Sequence, residues 1–224
     1  LEVTDRLPSP ALARWIEAAF MCLSFPDPRI WCNQIGALGG TLRCAPAAAV
    51  TAGTLASDST MYGPGRSHNA GEFIAQVTQE VRAGASVEAI VTRCTTRSGR
   101  VRAPGYSRPI ASGDDRVDAL SRLAAELGLH QGEHLDVAWR LDAVLRSRGG
   151  NSMNMLGYLA ALVLDNGVGV EEGHRLFTLI VNAGVHACYC EEADEPAGTF
   201  LPLRVDDVEY TGAPPRALPR GNIA

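Results

Sequence analysis

The chain has 224 residues, of which 46% are hydrophobic and 20% charged, a balance typical of an ordinary globular protein with a substantial core. Its net charge is −5. The sequence contains no lysine, so arginine is its only strongly basic residue type. These features exclude lysine Schiff-base chemistry and any lysine-dependent phosphate loop, and the acidic balance argues against a nucleic-acid surface.

The cysteine pattern and the length of the apolar runs indicate where in the cell the protein is expected. Six cysteines, at positions 22, 32, 44, 94, 188 and 190, form no C-x-x-C pair, and the sequence shows no signal peptide. The apolar run at 156–164 is too short to cross a bilayer. We therefore expect a cytoplasmic protein with no membrane partner, whose arginines favour carboxylate or phosphate ligands through their planar, forked guanidinium groups.

Apolar residues recur at helical spacing along nearly the whole chain, which predicts an all-α fold. Predicted helices begin after caps such as Ser9 and Ser86 and end at glycines such as Gly84 and Gly128. In chain order they span Pro10–Phe25, Ala45–Leu55, Gly71–Arg82, Ser86–Arg97, Asp115–Leu127, Glu133–Arg146, Met153–Leu164 and Glu172–Glu191. At best one short strand is expected, at Val205–Tyr210.

Glycine- and proline-rich stretches at 62–71, 99–113 and 149–151 fall between these helices, where a helical scaffold usually carries its chemistry. In the first, His68 lies in a loop feeding a helix N-terminus, which can hold an anion, and an exposed turn is an equal alternative. In the second, Arg108 and Arg116 are able to bind a carboxylate or phosphate. The alternative for Arg116 is a surface ion pair at a helix start.

Other clusters favour a structural interpretation. His130 and His134 are four residues apart, but the intervening Gly132 argues against a helical metal pair. Cys188 and Cys190 are two apart, point away from each other on a helix, and are interpreted as buried cysteines. Met153 and Met155 are expected in the core. We expect no metal and no permanently bound cofactor.

Five segments in a fixed order carry a more specific pattern. They are Leu7-Pro8 with Ala13–Leu23, Gly63-Pro64 through Glu72, Gly105-Tyr-Ser-Arg108 with Asp114-Asp-Arg116, Asn151–Gly157, and Leu203-Arg204 with Tyr210–Arg216. This set resembles the citrate synthase and citryl-CoA lyase superfamily. There the corresponding middle motifs run Gly-Pro-Leu-His-Gly-Gly-Ala-Asn-Glu, Gly-Phe-Gly-His with Asp-Pro-Arg, and Asn-Val-Asp-Phe-Tyr-Ser-Gly.

The resemblance implies an all-α fold with a large helical domain, residues 1–85 and 186–224, and a smaller helical domain, residues 86–185. It also implies a homodimer whose active site lies in the cleft between domains. In the family, an aspartate removes a proton from an acyl-CoA thioester, histidines stabilise the enolate and polarise the acceptor, and arginines hold the acceptor's carboxylates. A coenzyme A thioester would be a substrate here, not a resident cofactor.

Carried over by residue, the resemblance implies a substrate-binding set. Arg116 matches the arginine of Asp-Pro-Arg, Arg204 matches the arginine that a partner subunit lends, and Asn151 opens the aspartate motif. Either Ser67 or His68 takes the position of the Gly-Pro-Leu-His histidine, and Ser107 lies in the segment resembling Gly-Phe-Gly-His.

The catalytic positions depart from the family. Met153 takes the position of the family's catalytic aspartate, and Arg108 takes that of a histidine. Asp27 lies within one residue of the position of another family histidine, and Val181 takes that of a further arginine. The expected catalytic residues are therefore Asp27, His68 and Arg108. The sequence predicts a divergent enzyme that forms, cleaves or rearranges a carbon–carbon bond of a CoA thioester or other carboxylate-bearing substrate. The alternatives are a catalytically silent paralogue that binds a ligand or partner, and a helical scaffold with no small-molecule site.

Overall fold

The computed structural model describes residues 2–59, 63–99, 101–107, 113–149, 151–202, 205–207, 209 and 211–214. The all-α prediction is confirmed: within these residues there are ten α-helices, one 3-10 turn and no strand. The helices are α1 Pro10–Leu23, α2 Trp31–Thr41, α3 Pro46–Ser57, α4 Gly65–Arg82, α5 Val87–Cys94, α6 Asp115–Glu126, α7 Glu133–Ser147, α8 Met155–Asp165, α9 Val170–Phe177 and α10 Asn182–Asp194.

The predicted helix Glu172–Glu191 is wrong, because the chain forms two helices, α9 and α10, with a break between them. At the break the bonds from Ile180 N to Phe177 O and from Asn182 N to Leu179 O are three-residue turns, and Ser24 Oγ donates to Ile180 O. The predicted strand at 205–210 is also wrong where it is described, since Val205–Asp207 is a 3-10 turn.

Two further corrections concern helix starts. Sequence periodicity missed α2, whose three glycines lower helix propensity. Helix α4 begins at Gly65 rather than at Gly71, because Asp58 Oδ1 accepts the Gly65 N–H at 3.1 Å and so satisfies a donor at the helix start. His68 therefore lies in the first turn of a helix and not in a flexible loop.

Helices α2, α3 and α10 pack closely because their contacts use the smallest residues. Gly36 on α2 lies against the carbonyl of Val185, Gly39 against Ala49, and Gly53 on α3 against Val185. Any side chain at these glycines would push the helices apart. The guanidinium of Arg43 then donates to the carbonyls of Glu192 and Ala193 at the end of α10.

A second group of helices surrounds α8, which is apolar on nearly every side and almost fully buried. Helices α4 and α7 pack on α8, and α4 also contacts α9. Trp15 on α1 is fully buried and donates from Nε1 to Leu120 O at 3.0 Å, which fixes α1 to α6. The predicted division into a large domain, residues 1–85 and 186–224, and a small domain, residues 86–185, stays a prediction. Helix α4, from the predicted large domain, packs directly on α7, α8 and α9 of the predicted small domain.

The glycine contacts predict a sharp difference between two Gly→Ala substitutions. At Gly36 the new methyl would collide with the backbone carbonyl of Val185, whereas at Gly173 on α9 the nearest atom, Val163 Cγ2, is an ordinary 3.6 Å away. We expect Gly36→Ala to lower the free energy of unfolding by about 1–3 kcal/mol, as overpacking does. Gly173→Ala should be neutral or stabilising by up to about 1 kcal/mol.

Urea denaturation of both variants beside the wild type measures this difference. Equal stability changes in the two variants would contradict the close approach of α2 and α10.

Candidate active site

The loop at 103–107 is held against the first turn of α8. Asn154 caps this helix, accepting from Leu156 N at 2.9 Å and Gly157 N at 3.1 Å, and its Nδ2 donates to Ser107 O at 2.6 Å. Its backbone N–H donates to Gly105 O at 2.8 Å. One asparagine thus positions the helix start and the loop together.

Only glycine fits on both sides of this contact. Gly105 has φ of +85°, a conformation that side chains rarely adopt, and a Cβ there would lie 2.7 Å from Gly157 Cα. A Cβ on Gly157 would in turn collide with the Gly105 carbonyl. Gly105 and Gly157 therefore bring the exposed Ser107 to the N-terminus of α8. They come from two separate segments of the sequence pattern, 105–108 and 151–157.

Arg116 is held beside the same helix start by a buried carboxylate. Asp114 caps α6 and accepts Arg116 Nε and Nη2, each at 2.7 Å, while its Oδ2 also accepts Met155 N at 2.9 Å. The Asp114 side chain is fully buried and that of Arg116 is 27% exposed. The ion pair at a helix start, which was the alternative interpretation of Arg116, is therefore present with Asp114. It orients the guanidinium of Arg116, which is accessible to solvent.

Met153, which the sequence resemblance matches to the family's aspartate, is part of the core. Met153 is 1% exposed, and its backbone N–H donates to Asp142 Oδ1 at 2.6 Å. Asp142, on α7, also accepts Arg146 Nε at 2.7 Å through its other oxygen. Met155 is equally buried, so the expectation that both methionines belong to the core is confirmed.

Asp27 lies between α1 and α2 and is paired locally. Its carboxylate accepts Arg29 Nε at 3.0 Å and Nη2 at 2.6 Å, and this hydrogen bonding lowers the pKa of Asp27 to about 2. A carboxylate of such low pKa is a weak proton acceptor. Cys22, five residues earlier, is close enough to Arg116 to feel its charge, although burial dominates and raises the pKa of the thiol.

His68 faces α9. Its Nε2 lies 2.7 Å from Glu171 Oε1, its Nδ1 lies 3.5 Å from Glu72 Oε2, and its ring packs edge-on against His174. Ser67, the alternative at this position, is buried and donates to Pro64 O at 2.5 Å. Ser67 lines a small apolar pocket between α4, α8 and α9, which His174 also lines.

The structure therefore brings together part of the predicted set. Ser107 and Arg116 both lie at the start of α8, and the half-buried Asn151 lies three residues before the helix cap Asn154 in the chain. Asp27 and His68 make their polar contacts elsewhere. Arg108 and Arg204 lie outside the described residues, and Val181 is buried.

The remaining histidine and cysteine clusters have separate environments. His134 Nδ1 lies 2.8 Å from Asp165 Oδ1, and the same carboxylate caps α7 by accepting three backbone N–H groups. Cys188 is buried, as predicted, but Cys190 is exposed, so that interpretation was wrong for Cys190. No group of three potential metal ligands converges among the described residues.

Sequence analysis missed the side chains that position this site. Asp142 and Asn154 carry no motif of their own, yet each joins the segment 151–157 to another element. An asparagine followed by an apolar helical run is a cap signal, and it was available for Asn154. The sequence spacing of Asp142 and Arg146 indicates only their local ion pair, and no sequence signal pointed to the bond from Asp142 to the backbone N–H of Met153.

The fold of this chain is also found in solved structures of known proteins. No protein-family model and no curated protein matches the sequence significantly. The citryl-CoA lyase from Hydrogenobacter thermophilus superposes with a TM-score of 0.79 at 26% identity, over 96% of this chain and 82% of the lyase chain.

Two more distant structures share the fold. An ATP citrate lyase from Methanothrix soehngenii, in complex with citrate and coenzyme A, gives a TM-score of 0.75 at 17% identity. This match covers 94% of the present chain and 36% of the lyase chain. A citrate synthase from the thermophilic archaeon Thermoplasma acidophilum, with carboxymethyl coenzyme A and oxaloacetate, gives 0.65 at 16% identity, over 96% of this chain and 56% of the synthase.

The fold is that of a citrate synthase-like protein. The resemblance noted in the sequence is thereby confirmed, and the chain belongs to the citrate synthase-like superfamily. Within the described residues, no helix is both long and apolar enough to span a membrane.

The buried carboxylate predicts a large stability loss in Asp114→Asn. The substitution removes the charge that pairs with Arg116, and breaking a buried pair commonly costs about 3–5 kcal/mol. Asp136→Asn is the control, because its 3.5 Å pair with Arg140 is exposed and worth at most about 1 kcal/mol. Chemical denaturation measures both, and a loss in Asp114→Asn no larger than in the control would contradict the role of Asp114.

The Asp27–Arg29 pair predicts an unusually acidic carboxyl group. Carbon-detected NMR titration should give Asp27 a pKa of about 2, and Arg29→Gln should return it towards the ordinary 3.8. Because the folded-state pKa is lowered, the contribution of this pair to stability is present above pH 3.8 and is lost as the pH falls towards 2. A pKa unchanged by Arg29→Gln would show that another group lowers it.

Proposed function

We propose that this protein is a citrate synthase-like enzyme that acts on a CoA thioester or another carboxylate-bearing substrate and makes, breaks or rearranges a carbon–carbon bond. The observation that carries the proposal is the orientation of Arg116 by buried Asp114 at the start of α8, next to Ser107. The similarity to citryl-CoA lyase over nearly the whole chain supports the same class of chemistry.

In this proposal Arg116 binds a substrate carboxylate. Asp114 fixes the guanidinium plane through Nε and Nη2, so the arginine does not have to be ordered when the ligand arrives. A planar fork suits a carboxylate better than an ammonium does. In the proposal, Ser107 and Asn151 supply hydroxyl and amide donors for the other oxygens of the substrate.

The proposal also includes a homodimer. In it, Arg204 of one protomer adds a second guanidinium to the site of its partner, as the resemblance implies. An enclosed two-protomer site would exclude water and strengthen both carboxylate contacts.

A catalytically silent ligand-binding paralogue is the second candidate, and one observation favours it. The position of the family's proton acceptor holds Met153, which is 1% exposed and packs in the core. A general base contributes about 10²- to 10⁴-fold to rate, so this replacement alone would lower ordinary citrate synthesis greatly. The two candidates share the carboxylate site and differ in turnover.

The site predicts that Arg116→Lys weakens carboxylate binding. Loss of a buried, hydrogen-bonded charge contact costs about 2–5 kcal/mol, which corresponds to at least about 30-fold in Kd. Arg140→Lys, an exposed arginine on α7, is the matched control and should change Kd less than about twofold. Calorimetric titration of citrate and oxaloacetate into the three proteins measures the difference.

Release of free CoA from citryl-CoA, or from acetyl-CoA, malonyl-CoA and propionyl-CoA with oxaloacetate, separates the two candidates. Carboxylate binding with thioester turnover supports the enzyme, and carboxylate binding without turnover of any thioester supports the silent paralogue. No carboxylate binding by the wild type, or equal effects of both substitutions, would contradict the site itself.

A further inference from the structure

Helix α3 has no charged side, yet one of its faces is open to solvent. From Cys44 to Ser57 the sequence contains no acidic or basic residue. The buried side of α3 is formed by Ala49, Gly53 and Ser57. The exposed side, which we name the α3 face, is formed by Ala47, Ala48, Thr51, Ala52 and Leu55. A helix that is apolar all round is normally buried on every side, so this face lacks the cover that its composition predicts.

The helices that carry this face form a thin group. Helices α2, α3 and α10 pack mainly on one another, and their closest contacts use glycine and alanine. Among the described residues, these three helices contribute only Cys32 and Val185 to the main apolar core. Because a group of helices is stable when it packs against a second layer, the open side of this group is a surface where such a layer fits.

The uncharged surface continues from α3 onto the first half of α10. Thr54 Oγ1 on α3 lies 2.7 Å from Asn182 Oδ1, which places the start of α10 beside α3. The exposed residues of α10 that follow are Ala183, His186, Ala187 and Cys190. Most of these side chains are small, as on the α3 face, and none carries a carboxylate or a guanidinium.

The composition of the α3 face suits a second copy of the same chain. In a twofold dimer the same surface is used by both subunits, so a charged surface would meet its own charge. The α3 face avoids this cost because it has no charge. Its alanines also allow a facing helix to approach closely, since the distance between packed helices is set by the side chains at their contact.

We infer that two copies of this chain associate through their α3 faces, about a twofold axis. The inference rests on the proposed function, in which a second protomer completes the carboxylate site, and it identifies the surface that joins the two protomers. Leu55, which is 72% exposed in the single chain, is the large apolar side chain that the contact covers.

Concentration series on the wild-type protein test the inference directly. Sedimentation velocity should show a dimer that dissociates on dilution, within a range of about 0.1–100 μM. Hydroxyl-radical labelling of Leu55, read by mass spectrometry, should fall as the dimer forms. Met21 on α1 is 78% exposed and serves as the internal control, whose labelling should stay the same.

Two variants of the α3 face add a second readout. Ala52→Glu brings two carboxylates into an apolar contact and should raise the Kd of the dimer at least about 100-fold. Leu55→Ala removes an apolar contact without adding charge and should raise it about tenfold. Met21→Glu is the matched control on α1 and should change the Kd less than about threefold. Circular dichroism of the diluted proteins should be unchanged, because all three positions are exposed in the single chain.

Failure of the inference is distinguishable from failure of the proposed function. A wild type that stays monomeric at about 100 μM would overturn the inference, as would a dimer that leaves Leu55 open to labelling and tolerates Ala52→Glu. Citrate binding by such a protein would still support the site at Arg116. A dimer that covers Leu55 but binds no carboxylate would support the inference and contradict the proposed function.

Discussion

The buried carboxylate of Asp114 is the interaction on which the geometry of the candidate site depends. It accepts hydrogen bonds from the backbone N–H of Arg116 in the first turn of α6, from the guanidinium of the same residue, and from the backbone N–H of Met155 at the start of α8. One charge thus fixes two segments that are distant in the chain, the start of α6 with Arg116 and the start of α8. A carboxylate removed from water is stable only when donors surround it, so the site and the helix packing stabilise each other.

Much of the fold could be predicted from the sequence because helical periodicity is a local property. The helices α6 and α7 have strong apolar stripes and clear ends, and their predicted bounds agree with the structure to within one residue. Helix α2 was missed because Gly36, Gly39 and Gly40 suppress the local signal. Those glycines are required by tertiary contacts with α3 and α10, which no local pattern reveals.

Less of the candidate site could be predicted. Motif order predicted Ser107, Arg116 and Asn151 as substrate-binding residues, and the structure brings two of them, Ser107 and Arg116, to the start of α8. His68 and Ser67 could not be separated by sequence, since an extra residue in the loop leaves the register open. The structure separates them because successive residues of a helix point about 100° apart: Ser67 is buried, whereas His68 reaches Glu171.

The segment around Met153 is held mainly by its backbone and by one neighbouring side chain. The backbone N–H of Met153 donates to Asp142, and the next residue, Asn154, caps α8 and anchors the loop through Gly105 and Ser107. The frame therefore depends on backbone donors and on Asn154, and not on the side chain at 153. The hydrogen bonds from Arg116 and from the backbone N–H of Met155 to Asp114, which position Arg116, do not involve the side chain at 153.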